Sequence, residues 1–134
     1  MTKLTTIEGI GDVYAEKLKA AGIASLESLL KKGSTPAGRS KIAEEAGVSK
    51  DLILEWVNRA DLFRIKGIGE EYSDLLEVSG VDTVVDLARR NAKNLYEKMV
   101  EVNAEKKKVR KLPTQSQVED WVAQAKNLPR VITY

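Results

Sequence analysis

The stretch Ile7-Glu8-Gly9-Ile10-Gly11 returns as Ile65-Lys66-Gly67-Ile68-Gly69, and the correspondence extends past the glycines. Leu4, Ile7, Gly9, Ile10, Gly11, Ala15 and Leu18 share a register with Leu62, Ile65, Gly67, Ile68, Gly69, Ser73 and Leu76, at an offset of 58. Apolar residues at helical spacing on both sides of a glycine–apolar–glycine turn predict a helix, a tight hairpin and a second helix. The glycines permit backbone angles or a close approach that a side chain would block. The isoleucine between them can plug the gap between the helices. Further on, Gly22, Ile23 and Leu29 match Gly80, Val81 and Leu87 at the same offset, and Trp56 and Ala60 match Trp121 and Ala125 at an offset of 65. No stretch alternates as a half-buried strand would. The chain reads as an all-α protein, two tandem repeats (1–64 and 65–134) packed as one compact helical protein.

Local signals divide the repeats into helices. A short turn within residues 1–10 leads into a helix from Asp12 to Ala21, with Tyr14, Leu18 and Ala21 inward and Gly22 as its left-handed stop. Ser25 caps a helix reaching Lys32, with Leu26, Leu29 and Leu30 inward, and Gly33 ends it. Thr35-Pro36 opens a helix to Ala46, where Gly47 stops it. Ser49 caps the next, whose inward set is Ile53, Trp56, Val57 and Ala60, and no flexible linker follows. The second half restarts at Ile65, with a helix from Glu70 to Ser79 and a cap at Thr83. It then departs from the first: Asn91 begins a longer helix striped by Leu95, Met99 and Val102, running into Lys106-Lys107-Lys108-Val109-Arg110-Lys111. Leu112-Pro113 breaks it, and Thr114 caps a last helix with Val118, Trp121, Val122 and Ala125 inward. The C-terminal tail from Leu128 to Tyr134 is extended, apolar and expected to dock.

Composition limits the chemistry. At 43% hydrophobic and 31% charged, the 134 residues suit a soluble globular chain. The absence of cysteine excludes disulfides and thiolate metal sites, and the absence of histidine removes the usual neutral-pH proton carrier and the commonest metal ligand. Adjacent pairs such as Glu44-Glu45, Glu70-Glu71 and Glu119-Asp120 point in different directions on a helix. No glycine-rich loop carries lysine and hydroxyl at P-loop spacing. The expectation is a non-enzymatic protein without cofactor or metal. The N-terminal residues lack a signal-peptide core and no segment approaches membrane-spanning length, which points to a cytoplasmic protein.

These residues resemble the helix-hairpin-helix family over both Gly-Ile-Gly elements and their flanks. Gly22-Ile23 with Leu26 and Leu29 is similar to the glycine-started short helix in the C-terminal domain of bacterial RNA polymerase alpha subunits and in the N-terminal domain of archaeal recombinases. Gly47-Val48-Ser49 with the Trp56 helix resembles the second half of a paired hairpin domain. Over nearly the whole chain the likeness is to the DUF4332 family. It is carried by Trp56-Val57-Asn58-Arg59-Ala60-Asp61-Leu62, Gly67-Ile68-Gly69-Glu70-Glu71-Tyr72-Ser73, Glu101-Val102-Asn103 and Val118-Glu119-Asp120-Trp121. That family brings a fold and no settled biochemical role. In nucleic-acid-binding hairpin proteins the turn amides approach a phosphate, sometimes with a bound monovalent cation. The resemblance assigns those contacts here to Gly9, Gly11, Gly67 and Gly69.

Two features weigh against a simple transfer. Asp12 follows the first hairpin and Glu70-Glu71 the second, where a phosphate would arrive, and Lys17 and Lys66 compensate only in part. Both hairpins therefore also read as structural turns capped by their own acids. The net charge of +2 supplies no global attraction to a polyanion. Lys106, Lys107, Lys108, Arg110 and Lys111 form the strongest electrostatic feature, either a docking patch for an acidic protein or nucleic-acid backbone, or a solvated helix exit. Arg89 and Arg90 are candidates to join it. Trp56, Trp121, Tyr14 and Tyr72 fit core packing better than base stacking. The leading expectation is an interaction scaffold for an unidentified protein partner. The alternative is a weak, sequence-nonspecific DNA- or RNA-binding module using a hairpin and the basic run. Nothing in the sequence indicates an oligomer.

Overall fold

Caps and stops place the helices. The computed structural model describes residues 2–134, with eight α-helices, a single 3-10 turn (Leu4–Thr6) and no strand among them. The helices are α1 (Asp12–Ala20), α2 (Leu26–Lys32), α3 (Pro36–Ala46), α4 (Lys50–Leu62), α5 (Glu70–Val78), α6 (Val84–Ala88), α7 (Ala92–Lys106) and α8 (Gln115–Lys126). The hydroxyls of Ser25, Thr35 and Thr83 accept from backbone N–H groups of the first turns of α2, α3 and α6. Ser49 does the same for α4, and Asn91 for α7 through its side-chain oxygen. Thr114 and Gln117 form a reciprocal capping box on α8. The helices starting after the two hairpins, α1 and α5, have glycine N-caps, which offer no side-chain acceptor.

The chain divides into two compact units. Unit 1 holds residues up to Asp61 together with Arg130–Tyr134, and α3 packs against both α1 and α2. Its core includes Ile7, Leu18, Ile23, Leu29, Ile53 and Val57, all at most 1% exposed. Burying an aliphatic side chain to that degree contributes about 1.5–3 kcal/mol before the cost of ordering it. The segment Arg130–Tyr134, which the sequence groups with residues 65–134, belongs here because its backbone pairs with unit 1. Thr133 N–H donates to the Ser34 carbonyl at 2.8 Å, and the Arg39 guanidinium donates to the Thr133 carbonyl at 2.7 Å.

Unit 2 spans Leu62–Pro129, with α8 packed on α6 and α7, and α5 on α7. Ile65, Leu75, Leu76, Leu87, Met99, Val118 and Trp121 line its core. The two units show matching local geometry. Gly9 and Gly67 have φ of +96° and +99°. The Tyr14–Trp56 ring centroids lie 5.1 Å apart and those of Tyr72–Trp121 5.2 Å apart. Lys32 donates to the Gly22 carbonyl at 2.9 Å, and Arg90 to the Gly80 carbonyl at 2.6 Å. Arg90 is also 3.7 Å from Asp86, so it closes its own turn rather than extending a cationic surface.

Candidate functional site

In each hairpin the two glycines have different jobs. A Cβ on Gly67 would lie 2.9 Å from Trp121 Nε1, at a backbone angle that side chains rarely adopt. The fold requires glycine there twice over. Gly69 has φ of −116°, and a Cβ there would meet nothing within 4 Å. Gly11 is likewise unobstructed, at φ of −86°. The sequence alone suggests that both glycines of each pair serve the turn. The structure confines that need to the first, and the second leaves the helix start bare.

Gln124 fixes the second hairpin. Its side-chain oxygen accepts from Lys66 N–H at 2.9 Å, and its amide donates to the Lys66 carbonyl at 3.1 Å. Asp120 accepts from the same amide nitrogen at 2.8 Å, which orients it. The helix that buries Trp121 against Gly67 therefore also holds the peptide beside it.

The basic run is a loop, not a prolongation of α7. The helix stops at Lys106, and Lys107 takes the left-handed conformation (φ 51°, ψ 48°), alone in this among the described non-glycine residues. Asn103, still on α7, turns its side chain onto Val109: it accepts from Val109 N–H at 3.0 Å and donates to the Val109 carbonyl at 3.1 Å. Val109 is buried in the unit 2 core. The Tyr72 hydroxyl donates to the Lys111 carbonyl at 3.1 Å, tying the end of the run to the first turn of α5. An apolar plug and two side-chain clamps thus fix the loop.

The sequence groups five cations in this run, and the structure separates one. Lys108 Nζ lies 3.4 Å from Asp74, whose side chain is only 8% exposed. Its charge serves the fold. Lys106, Lys107, Arg110 and Lys111 are exposed. Glu70 and Glu71 are exposed on the same first turn of α5 whose Tyr72 reaches Lys111. Tyr72 and Trp121 pack against one another, and Trp121 and Trp56 are at most 2% exposed, which makes them core residues. In the first hairpin Lys17 lies over the Tyr14 ring, 5.8 Å from its centroid. Sequence reasoning missed Asn103, Asp74, Gln124 and the Tyr72 hydroxyl as the parts that hold the site. Asn103 was visible only as part of a family-like segment.

The family model for a domain of unknown function, DUF4332, matches residues 8–128. The chain belongs to the DUF4332 family. No curated protein and no solved structure matches it. The DUF4332 match takes in both Gly-Ile-Gly elements and the entire basic loop, and stops short of the Arg130–Tyr134 segment. Among the described residues no helix is long and apolar enough to cross a membrane, and no group of three or more acidic side chains is arranged to hold a metal ion.

Proposed function

We propose that this DUF4332 chain is a non-enzymatic interaction scaffold that docks an acidic protein segment on the basic loop of unit 2. The carrying observation is the clamped loop: Asn103 and Tyr72 fix its backbone, Val109 anchors it, and four cations remain outside. A partner meeting this loop does not have to order it, and avoided ordering costs are a main source of binding free energy. Lys107 adds to this. It is the left-handed C-cap of α7, its N–H bonded to the Asn103 carbonyl, a conformation that costs a non-glycine residue about 1–2 kcal/mol, and the cap leaves its charge exposed. Two copies of an ancestral helix-hairpin-helix unit account for the matched geometry of the units, and that descent is part of the proposal. So is a cytoplasmic location, which rests on the sequence.

A second reading has its own support. The glycine N-caps of α1 and α5 leave first-turn amides without a side-chain acceptor from the cap, and helix starts of this kind hold phosphates. Tyr72 brings the loop to one of these starts. That arrangement suits a DNA or RNA backbone. The carboxylates of Glu70 and Glu71 at the same start, and Asp12 at the other, oppose a phosphate seated on those amides, whereas an acidic segment held by the loop cations alone does not have to enter the helix start; this places the acidic-protein reading first.

Fluorescence anisotropy separates the two. The probes are a fluorescein-labelled oligoglutamate peptide, single-stranded DNA, duplex DNA and RNA, each titrated at several salt concentrations. The scaffold reading expects the peptide to bind and the nucleic acids to bind more weakly than about 10 μM at ~0.15 M salt. Four phosphate contacts would give a salt slope of roughly −3 to −4. Nucleic-acid binding with that slope, tighter than the peptide and lost when Lys107, Arg110 and Lys111 become glutamine, would reverse the order of the readings.

A further inference from the structure

Unit 1 contains a buried arginine at a corner that holds an extended segment, apart from the basic loop. Arg39 projects from the first turns of α3 and is only 4% exposed. The Gly33 carbonyl accepts one of its Nη groups at 2.9 Å and so holds the guanidinium from behind. Its other Nη group donates to the Thr133 carbonyl at 2.7 Å. The neighbouring Ser34 carbonyl accepts from Thr133 N–H at 2.8 Å, and the Thr133 hydroxyl lies 3.3 Å from the same oxygen. Ile132 is buried, at 3% exposed, and the Tyr134 ring lies under the guanidinium at 5.8 Å from its centroid.

This is how proteins capture extended peptides. Backbone groups supply sequence-independent hydrogen bonds, and alternate side chains fill or cover pockets. We infer that the Arg39–Ser34 corner of unit 1 is a docking site for an extended peptide segment carrying a branched apolar residue two positions before an aromatic one, and that residues 130–134 are its intramolecular occupant. The segment is suited to exchange. Within it only Ile132 is buried, while Arg130, Thr133 and Tyr134 are exposed. Ile132 is its one buried side chain, and with the Arg39 and Ser34 hydrogen bonds and the Tyr134 ring contact it holds a segment whose ordering has a full entropic cost. When the segment leaves, a buried guanidinium donor faces an empty corner, which favours recapture of another peptide carbonyl.

The test uses the full chain and a fluorescein-labelled peptide spanning residues 128–134. Ile132→Ser in the protein weakens the intramolecular occupant without touching the corner. The labelled peptide is expected to bind the Ile132→Ser protein at least about tenfold tighter than the native chain, where the tethered segment competes at high effective concentration. The same substitution in the peptide is expected to weaken binding at least about tenfold, the change that 1.4 kcal/mol produces. Equal binding to both proteins, or equal binding of both peptides, overturns the inference. Loss of the cooperative thermal transition in Ile132→Ser also overturns it, because the segment would then be core rather than occupant. Amide hydrogen exchange on the native chain is a second reading. Thr133 N–H is expected to exchange at least about a hundredfold faster than Leu29 N–H inside α2, and equal rates contradict exchangeability.

Discussion

Replacing Gly67 by alanine should damage the protein much more than the same change at Gly9, although the two occupy matching places in their hairpins. Both have φ near +100°, so both substitutions force a side chain into a sparsely populated conformation at a cost of about 1–3 kcal/mol. The surroundings then differ. At Gly9 the new methyl would meet Trp56 Nε1 at 3.9 Å, an ordinary contact. At Gly67 it would meet Trp121 Nε1 at 2.9 Å, with two further indole atoms at 3.8 and 3.9 Å. Trp121 is 1% exposed and cannot tilt away without disturbing the core of unit 2. Overpacking of this kind adds about 1–3 kcal/mol. The expected losses are therefore about 1–3 kcal/mol for Gly9→Ala and about 2–6 kcal/mol for Gly67→Ala. Gly69→Ala, with a negative φ and open space, replaces a glycine N-cap by the poorer alanine cap and should cost at most about 1 kcal/mol. Urea denaturation followed by tryptophan fluorescence measures all three. Equal losses at Gly9 and Gly67, or a Gly69→Ala loss rivalling that of Gly67→Ala, would refute the division of labour between the glycines.

Other substitutions probe the remaining parts. Trp56→Ala should destabilise by about 3–5 kcal/mol, as expected for a fully buried indole, and a urea titration showing less than roughly 1 kcal/mol would make it an exposed recognition residue instead. Lys107→Gly should stabilise by about 0.5–1 kcal/mol, because it relieves the left-handed lysine at the cost of some chain entropy. The same variant should bind oligoglutamate less well, and loss of stability in a thermal melt would remove the strain from the account. The Thr2 backbone N–H, 2.8 Å from the Glu27 carboxylate, holds that carboxyl below the usual glutamate range. Its contribution is present above the unfolded-state pKa and is lost as the pH falls through the lower folded value. Glu27→Gln should accordingly cost stability at neutral pH and little in strong acid, and a pH-independent difference in melting temperature would contradict the sign.

Much of the fold is local, and that part was legible. Ser25, Thr35, Ser49, Thr83, Asn91 and Thr114 each bond to an amide three residues on, so each cap sits inside a sequence window of four. The apolar faces of α4 and α8 follow helical spacing and are buried as that spacing requires. What the sequence hid depends on distant partners. Lys108 looks like its neighbours until Asp74 is seen beside it. Arg39 lies on the Ile42–Ala46 side of α3 and is buried with it, because Gly33 and Thr133, the latter 94 residues away, satisfy its guanidinium. The same distance hid the place of residues 130–134. The candidate loop is legible as charge, but its clamping is not, since that depends on Asn103 reaching Val109 across the end of a helix.

Chemical-shift mapping locates the acidic-peptide surface residue by residue. An isotope-labelled full chain, titrated with an oligoglutamate peptide of about ten residues at ~0.15 M salt, reports every amide at once. Docking on the basic loop gives progressive shifts concentrated on Lys106–Lys111 and the first turn of α5 around Tyr72, abolished when Lys107, Arg110 and Lys111 are changed together to glutamine. Asn103→Ala, which frees the loop without removing charge, should weaken the same shifts several-fold. Shifts spread over the lysines of both units with no focus on the loop, or binding unchanged by the triple substitution, would contradict it.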